Sequence, residues 1–149
     1  MKIGELCNRE VVIASKDTKV IELASLMREH HVGDIVITKN EAGANKPIGI
    51  VTDRDLVVEI IAKEVPLSAC NAGDIMSDEL VTLSESEGMW EAIDLMRDKG
   101  IRRLPVVSES GALVGIVCVD DLHAYLTERM QSVVSLINRE QRREEHKRH

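Results

Sequence analysis

The apolar positions follow two alternating rhythms along the chain. Val11-Val12-Ile13 is a short β-branched run and predicts a strand. Residues 19–30 then carry Val20, Leu23, Ala24 and Met27 at intervals of three and four, which predicts a helix. Residues 34–38 and 48–52 are again β-branched and predict two strands joined by a turn, and residues 53–63 predict a second helix. The same order returns further on. A helix is expected over 88–99, strands over 104–107 and 113–119, and a last helix from Asp120 onward. Its apolar stripe continues through Leu126, Met130, Val133, Val134 and Ile137 before residues 139–149 become almost wholly charged. That end reads as a solvated, fraying helix terminus or as a helix that docks a partner.

The second set of elements is a copy of the first. Residues 4–38 align with 73–107 at a constant offset of 69. Gly4 meets Gly73, Glu10 meets Glu79, Val12 meets Val81, and Leu26-Met27-Arg28 meets Leu95-Met96-Arg97. After a loop the offset becomes 66, where Gly49-Ile50-Val51 meets Gly115-Ile116-Val117 and Asp55-Leu56 meets Asp121-Leu122. The length change falls in residues 39–47 against the shorter 108–111, as expected of a surface turn. The chain therefore divides into a first repeat over 1–63, a linker over 64–71, a second repeat over 72–130 and a charged helical tail over 131–149. Residues 68–78 lead into the second copy.

Composition narrows the functions that such a duplication could serve. Aromatic residues are 1% of the chain, Trp90 and Tyr125 with no Phe, so the core is aliphatic and base stacking on single-stranded nucleic acid is disfavoured. A formal charge of −7 argues further against a nucleic-acid partner. No apolar run approaches the roughly 20 residues of a membrane span. The start Met1-Lys2-Ile3-Gly4-Glu5-Leu6 does not resemble a secretory signal. Cys7, Cys70 and Cys118 are scattered, odd in number and without metal-like spacing, which suggests reduced thiols and a cytoplasmic setting.

Candidate chemistry concentrates in Gly49-Ile50-Val51-Thr52-Asp53-Arg54-Asp55-Leu56, where a strand ends and a helix begins at once. A carboxylate there could accept hydrogen bonds from the vicinal hydroxyls of a ribose. Thr52 could add another, and Arg54 or the free amides of the helix start could face phosphate. Thr52-x-x-Asp55 is also a helix capping box. Copy two keeps the acid, Asp121, but has Cys118 at the capping position, which favours a role for the acid of its own. Other groups are plainer. His30-His31 are adjacent, point different ways on a helix and make a poor metal site. Met27 and Met96 read as core, and Cys118 as a small buried hydrophobe. Trp90 is either exposed at an interface or buried in its own core. No motif for nucleophilic or metal-assisted catalysis is present, and no enzyme activity is expected.

The ordered set of these pieces in two copies resembles a tandem pair of CBS domains, the module named after cystathionine β-synthase. The resemblance rests on Leu6-Cys7-Asn8 and Ile75-Met76-Ser77 before the first strand of each copy. It rests also on the stretch from His31 to Ile37, on Gly100-Ile101-Arg102-Arg103-Leu104-Pro105-Val106-Val107, and on the segments at 49–56 and 115–122. It implies an α/β fold of two β-α-β-β-α repeats packed as a pseudo-twofold pair with a C-terminal helix extension, commonly assembled into a homodimer. It also implies a regulatory module that binds an adenosine nucleotide, AMP, ADP, ATP or NAD, in the clefts between the repeats and signals to an effector protein. No cofactor is required. Carried onto this chain, Thr52 and Asp55 match ribose positions of the first site, Val12, Val32 and Gly33 enclose the adenine, and Cys7 lies near the base. The second site has Met76, Val81, Ile101, Arg102, Cys118 and Asp121. Phosphate contacts fall to His30, His31, Lys99 and Arg54. Asp34 departs from this pattern because its charge would oppose an anion in the first site, whereas copy two offers Arg102 and Arg103. The competing expectation is a ligand-free oligomerisation or partner-docking scaffold, with Asp55 and Asp121 serving only as caps.

Overall fold

A computed structural model describes residues 1–77 and 79–148. Asp78, the end of the expected lead-in, and His149, the end of the expected tail, lie outside the described residues. The first repeat contains α1 (Ile3–Leu6), β1 (Ile13–Ala14), α2 (Val20–His30), β2 (Asp34–Glu41), β3 (Ala44–Thr52) and α3 (Asp53–Asp55). The second contains α4 (Ala72–Ile75), β4 (Leu83–Ser84), α5 (Met89–Lys99), β5 (Arg103–Val107), β6 (Leu113–Cys118) and α6 (Val119–Arg148). Each repeat forms one three-stranded sheet, in which the short first strand runs parallel to the second and the second pairs antiparallel with the third.

The helices form where the apolar spacing places them. On α2, Val20, Leu23 and Met27 are buried, and on α5, Met89, Ala92 and Met96 are buried at the equivalent turns. The strands of the first repeat run further than the apolar pattern suggests. Residues 39–47 are mostly strand rather than surface turn, because β2 continues to Glu41 and pairs with β3 down to Ala44. The turn itself is Ala42-Gly43, both with positive φ, 53° and 81°, the left-handed pair that a two-residue hairpin requires. The expected second helix is α-helical only over Asp53–Asp55 and then widens to i→i+5 hydrogen bonding over Leu56–Ile61.

The two cores are not built from the two repeats separately. Ile3 is fully buried with Leu83, Met89, Leu104, Val106, Val117 and Leu122, all of the second repeat. Ala72 is buried with Leu23, Ile35, Ile37 and Val51 of the first. The backbone shows the same exchange. Ile3 and Gly4 donate to Glu87 and Glu85, while Ala72 and Gly73 donate to Thr18 and Lys16. These partners are equivalent under the repeat offset, so the exchange obeys the pseudo-twofold axis. Each repeat lends its first helix to the other's core.

Candidate functional site

The strand-to-helix turn at Thr52 is built as a reciprocal cap. The Thr52 hydroxyl accepts from the Asp55 amide at 3.2 Å, and Asp55 Oδ2 accepts from the Thr52 amide at 2.8 Å. In the second repeat Asp121 Oδ2 accepts from the Cys118 amide at 3.0 Å and from its thiol at 2.9 Å. This corrects the inference drawn from the missing hydroxyl. The carboxylate arm of a capping box needs only the backbone N–H of the cap residue, so Asp121 caps its helix without a Ser or Thr. Cys118 is half-buried, and burial first, then its bond to Asp121, pushes its thiol above the usual range.

Beside this turn, residues from both repeats enclose a cavity of about 300 Å³. Ile50, Thr52, Asp53 and Arg54 line it from the first repeat. Ser77, Glu79, Leu80, Val81, Ile101, Arg102, Arg103 and Pro105 line it from the second. The wall is therefore largely aliphatic, with three guanidinium groups and two carboxylates around it. The Ser77 hydroxyl, shielded from solvent, has no hydrogen-bond partner among the described residues. An orphan of this kind calls for a ligand or a water to satisfy it.

This cavity regroups the expected site residues. Thr52 and Arg54, expected with Val12, Val32 and Gly33, line it together with Val81, Ile101 and Arg102. Val12 and Val32 instead line a separate hollow of about 500 Å³ with Asn8, Glu10, Val11 and His30. The exchange of first helices displaces two more of the expected residues. Cys7 packs on Gly115 of the second repeat and Met76 on Gly49 of the first, where an added Cβ would lie 2.5 and 2.7 Å from their sulfurs. Asp55 and Asp121 are tied to their caps. His31, exposed, ends α2 in the left-handed conformation, and Lys99 is exposed in the last turn of α5. Gly33 lies near the repeat axis, its Cβ position 3.2 Å from Asp53 Oδ2 and 3.5 Å from Arg103. Sequence reasoning missed Ile50, Asp53, Ser77, Glu79, Leu80 and Pro105, although Ser77 follows directly on Met76 in the quoted Ile75-Met76-Ser77.

Asp34 is not a bare charge. Its Oδ2 lies 2.7 Å from Arg103 Nε. The two positions are equivalent under the offset of 69, so a pair between them must straddle the axis close to it. Burial holds the Asp34 carboxyl above its usual range; Arg103 pulls it back, and Asp53 and Asp121 add to the rise. Arg102 lies 3.6 Å from Asp120 in an exposed pair. The Arg54 side chain makes no hydrogen bond or ion pair among the described residues, in which no cluster of three or more His, Cys, Asp or Glu is placed to hold a metal ion. No helix among them is long and apolar enough to cross a membrane. Trp90, 64% exposed, stands on the solvent side of α5 as Ile21 does on α2.

A family model described as CBS domain matches residues 3–62 and again 72–128. An uncharacterized protein of Methanopyrus kandleri is 40% identical over 122 residues, which are 82% of this chain and 61% of that protein. A CBS domain-containing protein of Bacillus subtilis is 37% identical over 124 residues, 80% of this chain and 81% of its own. Among solved structures, a CBS domain protein of Pyrobaculum aerophilum complexed with AMP superposes with a TM-score of 0.73 at 26% identity, covering 81% of this chain and 89% of that one.

Proposed function

The chain belongs to the CBS-domain family, and from that premise we propose that it is a ligand-responsive regulatory module that binds an adenosine nucleotide between its repeats. The observation that carries this reading is the cavity beside Thr52. Its aliphatic wall, Ile50, Val81 and Ile101, suits the faces of a purine, and its guanidinium groups, Arg54, Arg102 and Arg103, suit a phosphate. The Ser77 hydroxyl would gain its missing partner from a ribose or base atom. A volume of about 300 Å³ lies at the lower end for ligand pockets and has room for a mononucleotide such as AMP. The AMP-bound Pyrobaculum relative supports the same choice. Asp55 remains the ribose candidate through Oδ1, the oxygen its cap does not use.

Signalling would follow from the bridge. A ligand held by both repeats favours one arrangement of the pair over others and so shifts its population, which an effector protein or the second copy of a homodimer can read. A scaffold role is the second reading. It is favoured by the exposed row Met130, Val133, Val134 and Ile137 along α6.

A thermal-shift panel with AMP, ADP, ATP, NAD and S-adenosylmethionine, with GTP as control, tests the proposal. A ligand at 100 times its Kd adds about 2.7 kcal/mol, or several degrees in a domain of this size. Selective stabilisation by AMP is expected. No shift with any of them at millimolar concentration would leave the scaffold as the better account.

A further inference from the structure

We infer that the projecting part of α6 is a self-association surface, which pairs antiparallel with the α6 of a second copy of this chain through an apolar seam. The inference does not depend on the nucleotide reading above. It also lies beyond the family match, which ends at residue 128.

From Thr127 to Arg148 every residue of α6 is exposed. Within this stretch residues 130–137 carry no charge, and Met130, Val133, Val134, Leu136 and Ile137 are between 49% and 66% exposed. A solvated helix end has no use for such a run, and an apolar patch of this kind marks a contact surface. The spacing selects a helix as its occupant. Leu126, Met130, Val133 and Ile137 follow one another at intervals of four, three and four, as the seam of a coiled coil does, and Val134 and Leu136 flank it on either side. The seam does not stop at the body. Leu122 and Leu126 carry it into a hollow of about 500 Å³ walled by Ile93 and Met96 of α5, which His123 also lines.

Charge decides the partner and its direction. Beyond Ile137 the seam positions fall on Glu140 and Glu144. In a parallel pair each seam residue meets its own copy, so Glu140 would face Glu140 and Glu144 would face Glu144. An antiparallel pair removes that conflict. With Leu126 level with Ile137 of the second copy, Met130 is level with its Val133 and Glu140 with its His123. The twofold repeats each match, so the surface is complementary to itself. Net charge agrees. Residues 138–148 hold five Lys or Arg against three Glu, whereas the whole chain carries −7. An antiparallel arrangement lays the basic end of each helix along the acidic body of the other copy, and a parallel one gathers the two basic ends together.

Sedimentation equilibrium of the full chain, together with Val133→Glu and Ile137→Glu, tests the contact. Both side chains are exposed, so the fold of one copy should tolerate either change. A dimer is expected, with its Kd raised about tenfold or more in each variant, as for a charge placed in a buried apolar seam. Glu140→Gln reads the direction. Relief of like charge would tighten a parallel pair, and no tightening is expected of an antiparallel one. Nitroxides on Arg148→Cys, with Cys7, Cys70 and Cys118 changed to Ala, read it again. They should lie about 50 Å apart in the antiparallel register and about 10 Å apart in a parallel pair. A monomeric wild type would overturn the inference. So would seam variants that associate as wild type does, a dimer tightened by Glu140→Gln, or the short distance between labels.

Discussion

A single ion pair, Asp34 with Arg103, joins equivalent positions of the two repeats. Exact symmetry would have set like beside like there, two acids or two arginines, and repulsion would have opened the pair. Divergence at one position turns the axis into an attractive contact. The cost is a carboxylate taken out of water. Its pKa is raised, burial outweighing the guanidinium, and the direction sets the pH effect. A carboxyl raised in the native state favours folding while it is protonated, below the ordinary value of about 3.9. That contribution is lost as pH rises through the raised value. Urea unfolding of Asp34→Asn should therefore show a smaller loss of stability across that window than wild type, and curves that stay parallel would contradict it. Asp55 and Asp121 teach a related lesson. Each carboxylate spends one oxygen on the backbone of its own turn, so Asp55→Ala would remove the reciprocal arm of the capping box, about 0.5–1.5 kcal/mol as for one net hydrogen bond, and lost binding in that variant would not isolate a ribose contact.

At the scale of the element, α2 and α5 end in the same way with different residues. His31 and Gly100 are equivalent, and both adopt the left-handed conformation, φ 53° and 65°. Gly is suited to that cap and His is not. An L-residue there carries about 1–2 kcal/mol of strain, partly offset by the roughly 0.5–1 kcal/mol of extra unfolded-state entropy that glycine brings. His31→Gly should thus raise stability by a few tenths to about 1 kcal/mol. Gly100→Ala should lower it by about 1 kcal/mol through the backbone alone, since an added Cβ meets nothing within 4 Å. Chemical denaturation of both variants checks the pair, and a destabilised His31→Gly would show that the imidazole has an unrecognised role. The long α6 behaves differently along its length. Its first turns bury Leu122, whereas Met130, Val133 and Leu136 are all more than half exposed.

For the whole molecule, the exchange of first helices matters most. Ile3 lies near the chain start, where side chains are usually dispensable, yet it is fully buried among residues of the second repeat. Ile3→Ala is expected to cost about 2–5 kcal/mol, the range for truncating a buried aliphatic side chain. Because each core holds residues from the other repeat, the two should unfold together. Trp90 fluorescence, which reports on the second repeat, and far-UV circular dichroism, which reports on both, should give coincident transitions. A near-neutral Ile3→Ala or separated transitions would show that the repeats are independent.

The order of the elements, the duplication and the aliphatic cores were legible in the sequence because they are local and periodic. Val20, Leu23 and Met27 sit on one face of a helix wherever that helix lies, and an offset of 69 needs no coordinates. The capping reading of Thr52 and Asp55 was available for the same reason, since a turn carries its own geometry. What tertiary structure decided was which distant segments meet. Grouped by position along the chain, Thr52 and Arg54 belong with Val12 and Val32. Folded, they face Val81, Ile101 and Arg102. The charge of a cleft between two repeats is a sum over residues some 50 positions apart, and no periodicity encodes that sum. It depends on how the pseudo-twofold axis brings the repeats together, and burial of the packed surfaces sets that arrangement.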